Sequence, residues 1–257
     1  VIVRPFGIVR EQLEASLEAA GVHVEEVPLV PDSIRISGAT GLTQLGTYRK
    51  GLFFVQDPGA TLVTAFAAFP EGADVADLCA APGGKSLELS RSARVVYAAD
   101  RSLPRLMRVR ANVQRLEAKN LHLLVADARL AAIRPVDAVL LDVPCTGTGS
   151  FPRHPVARWR LKVSDLAVMG ALQGALLRAA AEVVKPGGLL VYSTCSLEPE
   201  ENDAQVESFL ADHPDFSLEP PPEGAVPAAA LDAARLRVLP QRHGTDGAFA
   251  ARLRRSA

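Results

Sequence analysis

From residue 71 onward the chain keeps returning to one unit: a short apolar segment, an acid or a thiol at its carboxyl end, then a helix. The apolar segments are 73–79, 93–100, 121–127, 136–142 and 187–196. They end at Asp77-Leu78-Cys79, Asp100, Asp127, Asp142 and Thr194-Cys195. Helices are predicted from near Lys85, from Leu103 to Glu117, and from an N-cap at Ser164 to Val184. Another is predicted from near Pro199, with Glu200, Glu201 and Asp203 suited to its positive end. Strands alternating with helices predict an α/β fold, a mostly parallel sheet with helices on both faces. Ligands of such sheets bind outside the carboxyl ends of the strands. A lone Asp after a strand is commonly a turn former or cap, but four at equivalent ends point to a site. Segments 236–240 and 248–254 read as late strands closing one edge.

The first 57 residues have a different rhythm. Leu13 and Leu17 lie four apart in a helix over 10–21, with Gly21 suited to its C-cap. Segments 22–27, 33–38 and 51–57 then read as short strands. The expected organisation is a small α+β region over 1–57 and a larger domain over 58–257, with a helix opening near Pro58. The residues are 48% hydrophobic, enough for a full core, and no apolar run approaches a membrane span. No secretory leader opens the sequence; Val1 in place of Met leaves a fragment, a processed chain and an unusual start codon open. The net charge of −1 conceals two cationic stretches. One holds Arg101, Arg105, Arg108, Arg110, Arg115 and Lys119; the other, "FPRHPVARWRLK", spans 151–162.

"DLCAAPGGKS" (77–86) ends like a triphosphate-binding loop, but Cys79 stands where that loop needs its first glycine. Asp100 follows roughly twenty residues on, the spacing at which an acid on the next strand meets ribose hydroxyls. Without G-x-G-x-x-G a dinucleotide is poorly supported, and S-adenosylmethionine fits better. Its ribose would meet Asp100, its adenine would lie near Asp127, and its methionine part would follow the backbone of 79–85. Three cysteines with no CxxC pair argue against a disulfide framework or thiolate zinc, and suit a reducing cytoplasm. Cys145 and Cys195 end strands expected to be neighbours, so both can face one pocket. A methyltransferase acting on C5 of a pyrimidine needs a thiolate, because C5 is a poor nucleophile until sulfur adds at C6.

The segments "DLCAAPGGKS", "LLDVPCTGTGS", "YSTCSLEPEEN" and "LPQRHGTDGAFAARL" together resemble the RNA (cytosine-5) methyltransferase family, in order and spacing. "PRHPVARW" is similar to the branch acting on small-subunit ribosomal RNA, rRNA methyltransferase B. Val156 stands where that branch carries an acid, and Ala248 where the family carries an aromatic. The resemblance implies a Rossmann-like, seven-stranded class I methyltransferase sheet behind a small α+β RNA-binding region. It implies Cys195 as the nucleophile on C6, Cys145 as the cysteine that helps release product, and Asp142 as the acid on the cytosine edge. It further implies cofactor contacts from Cys79, Ala80, Ala81, Pro82, Gly83, Gly84 and Lys85, and from Asp100, Arg105, Asp127 and Asp142. Gly83 and Gly84 are read as letting the nucleoside approach, and Cys79 as chosen for size rather than reactivity. A cytoplasmic, monomeric enzyme on RNA, with no metal and no membrane, is expected. Trp159 in the cationic loop is expected either to stack a base or to pack within the loop. Methylation of transfer RNA, a DNA enzyme, a non-catalytic RNA-binding assembly factor and a phosphate-loop NTPase remain the competing readings. Some family members carry a helical RNA-binding domain upstream, and nothing in this sequence corresponds to it.

Overall fold

The computed structural model describes residues 1–39, 41–130 and 132–257. Its first part is β1 (Ile2–Pro5), α1 (Arg10–Glu18), β2 (His23–Glu26), β3 (Ile34–Ser37), α2 (Gly46–Arg49) and β4 (Phe53–Val55). The four strands form an antiparallel sheet in the order β2-β3-β1-β4. Alternation sends Ile34 and Ile36 inward on β3, where they meet Val3, Leu13, Leu17 and Phe53 in a small core. Strand β1 was not anticipated. Four residues ending in proline show no alternation of their own, and pairing on both flanks, Val3 opposite Ile34 and Val55, makes the segment a strand.

Helix α3 (Pro58–Ala67) starts where expected: Pro58 occupies its first turn and the Asp57 carboxylate accepts from Gly59 N. The sheet-and-helix units follow as β5 (Asp74–Asp77), α4 (Gly84–Leu89), β6 (Val95–Asp100), α5 (Leu103–Leu116), β7 (Leu121–Val125) and β8 (Val136–Asp142). Then come α6 (Val163–Glu182), β9 (Val184–Thr194) and α7 (Asp203–Asp212). The last elements are β10 (Phe216–Leu218), β11 (Leu231–Asp232), β12 (Arg235–Val238), α8 (Pro240–His243) and β13 (Ala248–Arg255). The sheet runs β11-β12-β13-β9-β8-β5-β6-β7, with β10 also paired to β13. Strands β7, β6, β5, β8 and β9 are mutually parallel. Strand β8 sorts the core by alternation: Ala138 and Leu140 join α3 and α4 residues, whereas Val139 and Leu141 join those of α6 and α7.

Several sequence expectations change. The sheet has nine strands, not seven. Strand β13 lies inside the sheet rather than on its edge, between β9 and the pair β12 and β10, and residues 248–253 are all buried. Helix α6 is not capped by Ser164; it begins a residue earlier, and Asp165 accepts from Lys162 N. Residues 199–201 form a single 3₁₀ turn ahead of α7.

The two sheets are joined through side chains. Arg4 pairs with Glu88 at 2.7 Å. From α5, Arg115 donates to Tyr48 O (3.0 Å) and Phe53 O (2.9 Å) and lies 3.9 Å over the Tyr48 ring. One nitrogen, Nη1, gives both bonds while Nη2 reaches Asn112 Oδ1 at 3.0 Å, a set that with the stacking on Tyr48 suits a planar guanidinium and not an ammonium. Arg115→Ala is expected to lower unfolding free energy by roughly 2–3 kcal/mol, with two carbonyls losing charged donors. Arg115→Lys is expected to recover less than half of that in a denaturant titration.

Candidate active site

The loop between β5 and α4 is pinned from both sides: Leu78 N donates to Leu140 O and Ala80 N to Ala99 O. Its glycines sit close to neighbouring side chains. A Cβ on Gly83, which has φ +104°, would stand 2.7 Å from Val109 Cγ1, and one on Gly84 would collide with Gln56 Oε1. Behind the loop, Asp77 is buried and accepts from Ser86 Oγ at 2.6 Å, while its other oxygen has no partner. Burial pushes this carboxyl up to about 7, against the Ser86 hydrogen bond, with the Asp142 charge adding to the rise.

Two cavities border this loop at the carboxyl ends of the strands. One, of about 260 Å³, is lined by Cys79, Ala81, Asp100, Arg105, Asp127 and Asp142 and reaches Cys145 and Cys195. The other, of about 300 Å³, shares Cys79, Ala81 and Asp142 and is lined by Ala80, Pro82, Gly83, Gly84 and Lys85, with Gln56 and Arg153. Every residue singled out in the sequence therefore faces one cavity or the other. Asp100 is nearly fully buried and accepts from Ala81 N (3.2 Å) and Ser102 N (2.8 Å). Arg105 stands 3.6 Å from it and donates to Ala81 O at 2.6 Å. Asp127 is held by Arg129, whose hydrogen bonds bring its carboxyl down to about 2. Cys79 is the inert thiol of the three: burial, then the charges of Asp77, Asp142 and Asp100, push it up.

Lys85 reaches across to Asp142, Nζ to Oδ2 2.7 Å, and Ser193 Oγ donates to the other carboxylate oxygen at 2.8 Å. Burial acts to lower the Lys85 pKa, but the charge and hydrogen bond of Asp142 outweigh it and leave the ammonium more firmly protonated. The Cys145 and Cys195 sulfurs lie 3.2 Å apart, with Cys195 open to solvent. The two thiols are not equivalent. With Cys145 as donor, the hydrogen bond between the sulfurs lowers the pKa of Cys195; burial and then the Asp142 charge oppose it, and Lys85 adds a smaller lowering. The same hydrogen bond, then burial, pushes Cys145 well up. The site thus favours a thiolate on Cys195 and a thiol on Cys145.

Polar residues that the sequence reading left out hold this pair. Gly149 N donates to Cys195 O, and Gly247 N to Gly149 O. A Cβ on Gly149 would come within 2.7 Å of Cys195 O. Asn202 donates to Ser196 O and accepts from Thr194 Oγ1, bracketing Cys195. Glu201, expected to serve a helix start, is instead fully buried against Thr146 and Gln173. Arg153 binds both Asp246 oxygens through its Nε–Nη2 edge and lies 3.8 Å from Asp57. Trp159 remains 81% exposed, so of the two sequence expectations packing within the loop is not met. The "GTDG" spacing was the available signal for Asp246; nothing local separates Glu201 from its acidic neighbours.

Comparison with known proteins places this geometry. Residues 65–254 match the family described as 16S rRNA methyltransferase RsmB/F. The chain belongs to that family. It is 36% identical over 244 residues to the ribosomal RNA small subunit methyltransferase B of Erwinia tasmaniensis, covering 92% of this chain and 55% of that one. The corresponding protein of Pasteurella multocida is 35% identical over 257 residues, with 95% and 56% covered. The chain thus spans a little over half the length of these RsmB relatives. A solved methyltransferase homolog protein from Pyrococcus horikoshii superposes with a TM-score of 0.82 at 32% identity, over 99% of this chain and 86% of that one. The α/β sheet is accordingly the Rossmann-like sheet of class I methyltransferases. Among the described residues no helix is long and apolar enough to cross a membrane.

The buried Asp77 carries a pH signature. A carboxyl whose folded pKa lies above its unfolded one binds its proton more tightly when folded. Its favourable contribution is complete below the ordinary carboxylate range and is lost as pH rises through about 7. Wild-type unfolding free energy, measured relative to Asp77→Asn, is expected to fall between roughly pH 4 and 7, by an amount on the order of 4 kcal/mol. Parallel pH profiles for the two proteins would contradict this.

Proposed function

We propose that this chain catalyses S-adenosylmethionine-dependent methylation of cytosine C5 in small-subunit ribosomal RNA through a covalent adduct on Cys195. The observation that carries the reading is the unequal thiol pair, 3.2 Å apart beside the Lys85–Asp142 ion pair. A non-catalytic scaffold gives no physical reason for a solvent-facing cysteine held against a second thiol at a cavity mouth.

The donor set of the smaller cavity fits the cofactor. Asp100 offers a desolvated carboxylate for ribose hydroxyls, and Asp127 stands at the next strand end. Leu78, Val143, Leu172 and Leu176 supply apolar wall for an adenine. A triphosphate fits poorly, since Lys85 is committed to Asp142. Cys79 to Lys85 form the backbone wall that the methionine part would follow, with Arg105 fixing that wall through Ala81 O. Bound there, S-adenosylmethionine supplies an electrophilic methyl group.

The chain's own residues do the rest. The Cys195 thiolate adds to C6 of a cytosine that has left its stack, and Asp142 lies where it can hydrogen-bond the base edge as N3 takes up a proton. Sulfur addition turns C5 into an enamine-like nucleophile for the methyl group. In release, the C5 proton leaves to water, its electron pair restores the C5–C6 double bond, the C6–S bond breaks with its pair returning to sulfur, and N3 gives the proton it took up back to water. Cys145 stays protonated and donates its hydrogen bond to the departing Cys195 sulfur. The four-stranded sheet of residues 2–55 is proposed as an RNA-binding platform beside this site, and the exposed loop 151–162 as a contact for substrate backbone.

Cys145→Ala, mixed with unmodified small-subunit ribosomal RNA and S-adenosylmethionine, is expected to accumulate a denaturation-resistant protein–RNA adduct. Cys145→Ala/Cys195→Ala is expected to form none; adduct surviving in the double variant would exclude Cys195 as nucleophile. Asp100→Ala is expected to weaken S-adenosylmethionine binding by about 1.5–3 kcal/mol, as for lost hydrogen bonds to a charged group, read by calorimetry.

A further inference from the structure

The proposed release step needs Cys145 to present its thiol to Cys195, yet Cys145 sits in an irregular loop after β8, where no ladder of hydrogen bonds fixes it. What fixes it is one buried carboxylate. Glu201 is 0% exposed and comes from the 3₁₀ turn six residues beyond Cys195. Its Oε1 accepts from Thr146 N at 2.9 Å and from Gln173 Nε2 at 2.8 Å, and its Oε2 accepts from the Thr146 hydroxyl. Gln173, also fully buried, donates with the same amide to Pro144 O at 3.0 Å. Residues on both sides of Cys145 are therefore tied to a single point. The turn that carries Glu201 is itself anchored, since Tyr192 on β9 donates its hydroxyl to Glu201 O at 2.6 Å. Tyr192 lies three residues before Cys195, so the clamp refers the Cys145 loop to the strand bearing the other thiol.

The chemistry of the clamp matters as much as its position. Three donors converge on the carboxylate from Thr146 N, the Thr146 hydroxyl and Gln173. A buried anion with fewer partners would be costly, and a buried amide N–H without its acceptor equally so. Removing the carboxylate leaves the 144–146 backbone free to shift, and a displacement of about 1 Å at a reacting group can cost roughly a hundredfold in rate.

We infer that Glu201 is a positioning residue for product release: with Gln173 it clamps residues 144–146 so that the Cys145 thiol meets the Cys195 sulfur as the C6–S bond breaks. The inference rests on the function proposed above. It separates from a general structural role because the damage falls mainly on release. A shifted Cys145 also assists Cys195 less, so adduct forms more slowly, but Cys195, Asp142 and Lys85 make no hydrogen bond to Glu201 and adduct still forms.

The test compares Glu201→Ala and Glu201→Gln with wild type and Cys145→Ala, using unmodified small-subunit ribosomal RNA and S-adenosylmethionine. Glu201→Ala is expected to bind S-adenosylmethionine like wild type, to trap adduct as Cys145→Ala does, and to release product roughly a hundredfold more slowly. Glu201→Gln is expected to restore release, because its amide oxygen can accept from Thr146 N and Gln173 while its NH₂ donates to the Thr146 hydroxyl. Should Glu201→Ala fail to fold, Thr146→Val removes only the hydroxyl bond and is expected to raise the trapped fraction severalfold; no rise would overturn the inference. Turnover by Glu201→Ala at the wild-type rate, or loss of adduct from it while Cys145→Ala still traps adduct, would also overturn it. Absence of adduct from Cys145→Ala itself would instead remove the functional reading beneath it.

Discussion

Lys85 and Asp142 meet at 2.7 Å where the start of α4, the end of β8 and, through Ser193, the end of β9 converge. Two charges taken out of water are costly unless each is paired and hydrogen-bonded. Here the lysine neutralises the aspartate, Ser193 satisfies its second oxygen, and Asp142 borders both cavities. On Cys195 the two charges pull in opposite senses, Asp142 raising its pKa and Lys85 lowering it by less. One pair thus ties α4 to the ends of β8 and β9 and borders both spaces of the site. Neither partner can be lost without stranding a charge, so stability and chemistry are joined at this point.

The contrast between the three cysteines shows how far surroundings govern one functional group. Cys79 lies behind a loop among three carboxylates and is held as a thiol. Cys145 is held as a thiol by giving its proton to a hydrogen bond. Cys195 receives that bond and sits in the field of Lys85. The pairing of two sulfurs at 3.2 Å lets one thiol lower the pKa of its neighbour without a histidine.

Much of this arrangement is legible along the chain, and the reasons for the exceptions are physical. The parallel strands announce themselves because they are buried on both faces and end on polar residues, as with Asp142 after a run of valine and leucine. Cys145 and Cys195 could be paired because adjacent parallel strands bring equivalent ends together. Strand β1 was missed because its identity comes from its partners. The interior place of β13 was missed because Arg252 and Arg254 suggest an exposed edge, although Arg252 is buried against Glu219. The closeness of Gly83 to Val109 and of Gly84 to Gln56 was not legible, because those neighbours are distant in sequence. Glu201 was given to a helix dipole, because sequence spacing carries no sign that its carboxylate turns inward toward Thr146.

Strand β13 lies next to β9 over six registered residues, from Phe249 opposite Thr194 to Arg254 opposite Leu189. Phe249 and Ala250 flank the strand end from which Cys195 projects, so the support of that thiol is completed by a strand that follows it by roughly fifty residues. Until β13 docks, one edge of β9 keeps its N–H and C=O groups unpaired, the form in which strands recruit foreign partners. The wall beneath the exposed thiol is thus finished by an antiparallel strand and not by the parallel units that build the rest of the site.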